Sequence, residues 1–260
     1  MVNKLKIMLS TIALSLAPVL VILLYIYSRD KYEKEPIGIL LRALLAGIII
    51  VLPTVLIESW LTNIAVAIFP TSLREVGLAE VEFVGNNEQL IAYNAYNSFL
   101  VAGLTEELFK YLAFILIIWK NRNFNELFDG IIYASYISLG FAAVENLFYV
   151  FEMGTGTGIL RAFTAVPGHA LFGVAMGYYF GIAKFNPKAT KLYLVLAFVV
   201  PFVLHGIYDF ILLSGNTLLL LLFIPFIIFL WILGFYKMKK HAKNSIFNPE
   251  NKMVELNDEE

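Results

Sequence analysis

Residues 101–117 read Val101-Ala102-Gly103-Leu104-Thr105-Glu106-Glu107-Leu108-Phe109-Lys110-Tyr111-Leu112-Ala113-Phe114-Ile115-Leu116-Ile117, two carboxylates and an ammonium set in an otherwise apolar stretch. The run 97–119 around them has the length of a membrane span, about 20 residues. A charge at the bilayer centre costs roughly 2.5–3.5 kcal/mol on insertion scales, so a chain keeps one there when it is paired or when it does chemistry. On a helix Lys110 lies four residues from Glu106 and three from Glu107, and can serve either. Two acids with one base leave a negative surplus, whereas a simple lock between helices needs only one of each.

Six further runs have span length: 8–27, 37–57, 130–151, 161–185, 192–213 and 217–236. The 260 residues are 60% apolar and 15% charged, with a mean hydropathy of +0.77. A soluble domain is about 45–50% apolar and about 25% charged. The expected fold is an all-α, polytopic membrane bundle of about seven transmembrane helices; no alternating pattern of barrel strands is present. The net charge of -1 offers no footprint for nucleic acid. The absence of cysteine excludes disulfides, thiolate metal ligands and a cysteine nucleophile. The first apolar run exceeds the roughly 7–15 residues of a signal-peptide core. It is followed by Ser28-Arg29-Asp30-Lys31 and no small-residue cleavage site, so it reads as a span.

The connections carry the topology. With seven spans, segments 28–36, 120–128, 184–191 and the tail after Tyr236 share one side and hold thirteen Lys or Arg, against four on the other side (Lys4, Lys6, Arg74 and Arg161). The positive-inside rule places the N-terminus outside and the C-terminus in the cytoplasm. The reading is one integral-membrane domain, 1–243, with a catalytic core at about 97–213. A long acidic outside loop at about 70–97 could lie on the membrane surface. Gly154-Thr155-Gly156-Thr157-Gly158 reads as a flexible loop, and the polar tail 244–260 as disordered.

Four more ionisable groups interrupt the later spans. Glu145 is flanked by apolar residues, with Gly140, Ala142 and Ala143 allowing another helix to approach closely. His169 follows Pro167-Gly168, and His205 and Asp209, four apart, share a helix face on which the acid can orient the imidazole. Each alone has a bland reading: a snorkelling acid, a packing hydrogen-bonder, a self-satisfied pair. Counted along their helices at about 1.5 Å per residue, Glu106, Glu145, His169 and His205 all lie roughly 9–14 Å below the outer surface. Independent packing locks have no need of a common depth. Glutamates, histidines and an aspartate gathered in one layer are the groups that activate water, so a hydrolase within the membrane is the first expectation. Arg42 can snorkel to the surface, and Glu58 is ambiguous.

Glu106-Glu107-x-x-Lys110, Phe141-x-x-x-Glu145, His169 and His205-x-x-x-Asp209 together resemble the PrsW family of bacterial intramembrane proteases, itself similar to the CAAX prenyl endopeptidases and bacteriocin-immunity-type membrane proteases. Lys31-Tyr32-Glu33-Lys34-Glu35-Pro36 and the stretch from Asp129-Gly130 to Tyr149 resemble that family too, and the likeness runs from about Ala17 to Tyr236. It implies a multi-pass protein of the bacterial cell membrane. It also implies hydrolysis of a single-span membrane protein near the extracytoplasmic face, as in site-1 cleavage of an anti-sigma factor in a stress-response cascade. On this chain Glu106 or Glu107 would act as general base, with His169 and His205 polarising the water and the developing oxyanion. Lys110, Glu145, Asp209 and Phe141 would support them.

Zinc has a place if glutamates and histidines from separate helices supply three ligands, drawn from Glu106, Glu107, Glu145, His169, His205 and Asp209. No His-Glu-x-x-His signature demands a metal, so no obligatory cofactor is expected and zinc stays an open question. Two other classes fit the same polar layer: a proton-coupled carrier, whose relays use such residues, and a non-catalytic scaffold that binds client helices. No inverted repeat supports the carrier.

Overall fold

The computed structural model describes residues 2–70, 73–77, 80–83 and 86–251, with side chains for 8–70 and 86–251. Its order is α1 (Val2–Arg29), α2 (Ile37–Ile68), β1 (Leu73–Gly77), β2 (Glu80–Phe83), α3 (Asn87–Ala95), a π-helical segment (Tyr96–Leu104), α4 (Thr105–Ile117), α5 (Leu127–Met153), α6 (Thr155–Phe163), α7 (Ala165–Phe185), α8 (Thr190–Leu213) and α9 (Thr217–Lys243). Among the described residues six helical stretches are long and apolar enough to cross a membrane: Met8–Arg29, Ile37–Ile68, Leu127–Met153, Thr155–Phe185, Thr190–Leu213 and Thr217–Lys243. The run expected as a third span, 97–119, is built from the π-helical segment and α4, and α3, within the stretch expected as a loop, leads into it with helical backbone at each junction. None of the three pieces has span length by itself.

The bundle is organised around α5 and α7. Every residue from 128 to 143 and from 165 to 178 is buried, the signature of helices that are apolar all round and enclosed by others. Close approach is what allows this: a Cβ on Gly177 would lie 2.1 Å from Gly130 O, and one on Gly140 2.1 Å from Leu44 O. The outer helices bury one face and turn apolar residues outward, among them Leu52 and Leu56 on α2 and Leu221 and Ile224 on α9. An apolar exterior is stable only in an apolar solvent, and in lipid helices also satisfy their own backbone groups.

Two loops differ from expectation. Within 70–97, β1 and β2 form an antiparallel hairpin with Arg74 opposite Glu82; strands of four and five residues are too short for their alternation to stand out. The glycine stretch at 154–158 turns only at Gly154, whose φ of +86° is a left-handed conformation suited to glycine, and then continues as α6.

The opposite end of the bundle, away from the hairpin, gathers acids. Asp30 Oδ2 accepts Glu35 N–H at 3.2 Å, Tyr133 Oη donates to Glu35, and Asp129 Oδ2 accepts the backbone N–H groups of Asn125 (2.8 Å) and Glu126 (2.7 Å) to cap α5. Residues 244–251 close over this end: Ser245 and Asn248 are buried, and Asn251 Nδ2 donates to Lys243 O at 2.9 Å. The rest of the expected tail, 252–260, lies outside the described residues. Burial pushes the Asp30 carboxyl up to about 6 and those of Glu35 and Glu126 up to about 7, with neighbouring carboxylates adding to the rise.

A raised acid binds protons in the folded state that the unfolded chain has already released, so its stabilising contribution is complete below about pH 4 and is lost as pH rises through 6 to 7. The melting temperature in detergent is therefore expected to fall between pH 5 and pH 8, and Glu126→Gln to flatten that slope. A slope unchanged by the substitution would count against this account.

Candidate active site

Four helices deliver the polar groups to one layer. The π-helical segment leads directly into Glu106 and Glu107; such widened turns recur at functional sites. It crosses α8 with almost no space between backbones, since a Cβ on Gly103 would lie 3.2 Å from Gly206 N, and one on Gly206 2.3 Å from the Phe99 ring. That approach sets Glu107 Oε1 2.9 Å from His205 Nδ1. On the other side, Ser138 Oγ of α5 donates to the His169 carbonyl of α7 at 2.7 Å. The same packing brings Glu145 Oε2 within 2.7 Å of His169 Nε2.

Lys110 Nζ lies at the centre, 2.9 Å from Glu106 Oε2, 2.8 Å from Glu107 Oε1 and 3.2 Å from His169 Nδ1. An ammonium can only donate, so His169 Nδ1 is the acceptor and Nε2 carries the proton given to Glu145. His205 faces Glu107 through Nδ1 and Asp209 Oδ2, at 3.3 Å, through Nε2. A neutral ring can donate to only one of these carboxylates. Phe172 stacks on His205 at 4.8 Å between centroids, and Phe141 holds its ring face 4.5 Å from Lys110 Nζ. Glu107 is fully enclosed, with Oε2 left without a hydrogen-bond partner. Glu145 and Asp209 form the rim, their side chains 22% and 21% exposed.

All seven ionisable residues singled out from sequence thus belong to one connected network, with Phe141 against it. The third histidine of the chain, His241, is elsewhere, donating to Tyr178 O at 2.9 Å. Sequence reading missed the role of Arg161, counted only as a boundary cation. Its Nη2 lies 2.9 Å from Glu145 Oε2, and its Nε donates to Asn146 Oδ1 at 3.0 Å. Its guanidinium covers the Tyr149 ring at 3.9 Å. A basic residue eight before a membrane histidine was the available signal. Glu58 of α2, ambiguous in the sequence, lies in the electrostatic field of Glu106, Glu145, His205 and Lys110.

One ligand atom from each of Glu106, Glu107, His169 and His205 falls within 4.8 Å of all the others. Two carboxylates and two imidazoles suit a divalent transition metal. Glu107 Oε2 is a buried acceptor without a partner, so the donor set fits a metal ion, for which Lys110 Nζ, 2.8–3.2 Å from Glu106, Glu107 and His169, would have to give way.

The sequence profile described as PrsW family intramembrane metalloprotease matches residues 35–233. The chain is 38% identical over 241 residues to Protease PrsW of Oceanobacillus iheyensis, covering 93% of this chain and 100% of that protein. It is 35% identical to Protease PrsW of Bacillus subtilis, covering 90% and 96%, and 34% identical to that of Clostridioides difficile, covering 89% and 91%. No solved structure matches.

Proposed function

The chain belongs to the PrsW family of intramembrane metalloproteases, multi-pass proteases of the bacterial membrane, and we propose that it hydrolyses a peptide bond of a single-span membrane protein near the extracytoplasmic face. The observation that carries this reading is the buried cluster of Glu106, Glu107, His169 and His205, four donors drawn together from three helices. An anti-sigma factor is the substrate class we assign, in a site-1 type of cleavage. The partly exposed rim of Glu145 and Asp209 supports entry from the hairpin end, which the excess of basic residues at the other end makes the extracytoplasmic one.

The residues divide the work by their geometry. A Glu107 or Glu106 carboxylate takes a proton from the attacking water and later returns it to the leaving amine. Glu145 fixes the His169 tautomer, so that Nδ1 turns its lone pair toward Lys110 and the two glutamates at the centre of the cluster. Asp209 and Glu107 orient His205 from its two nitrogens. Lys110 balances the charge of the two carboxylates. Zinc is the metal we assign, and it would be held by His169, His205 and one of the two glutamates, leaving the other as base; it would acidify the attacking water and polarise the scissile carbonyl. The substrate segment must be extended where it is cut, because a helix keeps its carbonyls in hydrogen bonds.

The test is cleavage of a panel of single-span membrane proteins, anti-sigma factors included, by purified protein in detergent, with and without chelator. Cleavage on the extracytoplasmic side that is lost in chelator and restored by zinc is expected. Cleavage indifferent to chelator would remove zinc from the reading, and failure on every panel member would overturn the substrate assignment.

A further inference from the structure

At the end of the bundle opposite the hairpin, where α2 begins and α4 has ended, lies an open cavity of about 550 Å³. Arg42 of α2 lines it from one side, and Lys120 and Arg122 of the turn between α4 and α5 from the other. All three cations are exposed, and no acidic side chain lines the cavity. Among the described residues none of the three forms an ion pair, a side-chain hydrogen bond or a ring contact. Basic residues at a cytoplasmic boundary are ordinary topology signals, and others at this end are engaged. Lys184 Nζ donates to Trp119 O at 2.6 Å, and Lys237 Nζ covers the Tyr178 ring at 3.8 Å. Three unengaged cations from two distant segments facing one cavity are a different matter.

The turn that carries Lys120 and Arg122 is fixed by its own hydrogen bonds. Asn121 N–H donates to Ile118 O at 2.8 Å, Asn123 N–H to Asn121 Oδ1 at 2.9 Å, and Phe124 N–H to Asn121 O at 3.2 Å. The cations are thus held on a set frame, and their mutual repulsion is relieved by an anion placed between them. Asn121 and Asn123 add amide donors to the lining. The floor is open at Gly38, where a Cβ would meet nothing within 4 Å. Apolar surface continues from the cavity into the bilayer. Leu41 and Leu45 on α2, and Leu112 and Leu116 on α4, are exposed and spaced four apart, so each pair lines one face of its helix. The two helices pack on one another. A soluble anion matches only the charged part of this surface, whereas a lipid matches both parts.

We propose that this cavity binds the phosphate headgroup of an anionic phospholipid of the cytoplasmic leaflet, with the acyl chains against the exposed leucines of α2 and α4. Arg42, Lys120 and Arg122 meet the phosphate through charge-assisted hydrogen bonds. Phosphatidylcholine carries the same phosphate, but its choline brings a further positive charge to a cavity that already holds three. The bound lipid ties the start of α2 to the end of α4, the helix that carries Glu106, Glu107 and Lys110. The assignment uses the orientation set by the basic residues and is independent of the hydrolytic chemistry.

The test incubates the purified full-length protein in neutral detergent with an equimolar mixture of phosphatidylglycerol and phosphatidylcholine. Free lipid is removed by gel filtration and the retained lipid is counted by chromatography. The parent is expected to retain phosphatidylglycerol by about tenfold or more over phosphatidylcholine, the scale set by three cations near a membrane surface. The triple variant Arg42→Gln, Lys120→Gln, Arg122→Gln should fall to within about twofold of no preference. Lys188→Gln, Lys191→Gln, Lys243→Gln removes three exposed cations outside the cavity and should keep the parent's preference. Melting curves check that the variants fold, and Arg42→Gln alone, with a partial loss, serves in place of a triple variant that does not. A parent without preference, or a loss as large in the second triple variant as in the first, overturns the proposal. Displacement of the retained lipid by millimolar inorganic phosphate, but not by chloride of equal ionic strength, makes this a site for a soluble anion and overturns it as well.

Discussion

Glu107→Gln is expected to lower the cleavage rate by about 10²–10⁴-fold, the range attributable to a lost general base, with the protein still folded. Glu107 is fully buried; its Oε1 meets Lys110 Nζ at 2.8 Å and His205 Nδ1 at 2.9 Å, and its Oε2 has no partner. The free oxygen is what a base needs, a lone pair not already committed to a neighbour. Glutamine keeps the shape and loses the ability to take a proton. Glu106 shares the lysine through Oε2, at 2.9 Å, lies 3.9 to 4.0 Å from the two histidines, and is the more accessible of the two at 8% exposure. Initial rates for Glu106→Gln and Glu107→Gln on one cleaved substrate, with melting curves for both, decide the matter. A Glu107→Gln protein within tenfold of the parent would move the base to Glu106.

Lys110→Met should have the largest effect on stability, about 3–5 kcal/mol, the loss seen when one partner of a buried ion pair is removed. Its Nζ is the cation nearest both carboxylates at the centre, and the side chain is only 1% exposed. Methionine fills the space and leaves two buried carboxylates facing each other. Against a total stability of about 5–15 kcal/mol, that is enough to deplete folded protein in the membrane. The double variant Lys110→Met with Glu106→Gln should recover a large part of the loss, since one uncompensated charge goes with it. Denaturation in mixed micelles measures this. If the double variant is no more stable than Lys110→Met alone, the lysine acts through packing and not through charge.

Much of the site was legible before the fold because an ionisable group in an apolar run is costly wherever the helices go. Glu106, Glu107, Lys110, Glu145, His169, His205 and Asp209 stood out on that ground, and counting residues along each helix assigned several of them a common depth. Arg161 did not stand out, because a basic residue at a span boundary is ordinary and its partner Glu145 is sixteen residues away, on a different helix. The π-helical segment before Glu106 has no marker in Tyr96-Asn97-Ser98-Phe99, and the hairpin at 73–83 was too short to register.

The sequence by itself determined the solvent, the helical architecture and the identity of the buried ionisable groups. Those follow from hydropathy summed along the chain, and from the i, i+3 and i, i+4 spacings that any helix imposes. Only the tertiary structure decided which oxygens of the two glutamates are engaged, which nitrogen of His169 accepts, and which carboxylates flank His205. Each of those is set by whether a partner on another helix takes up a hydrogen bond, and such partners meet only where packing brings glycines such as Gly103 and Gly206 together.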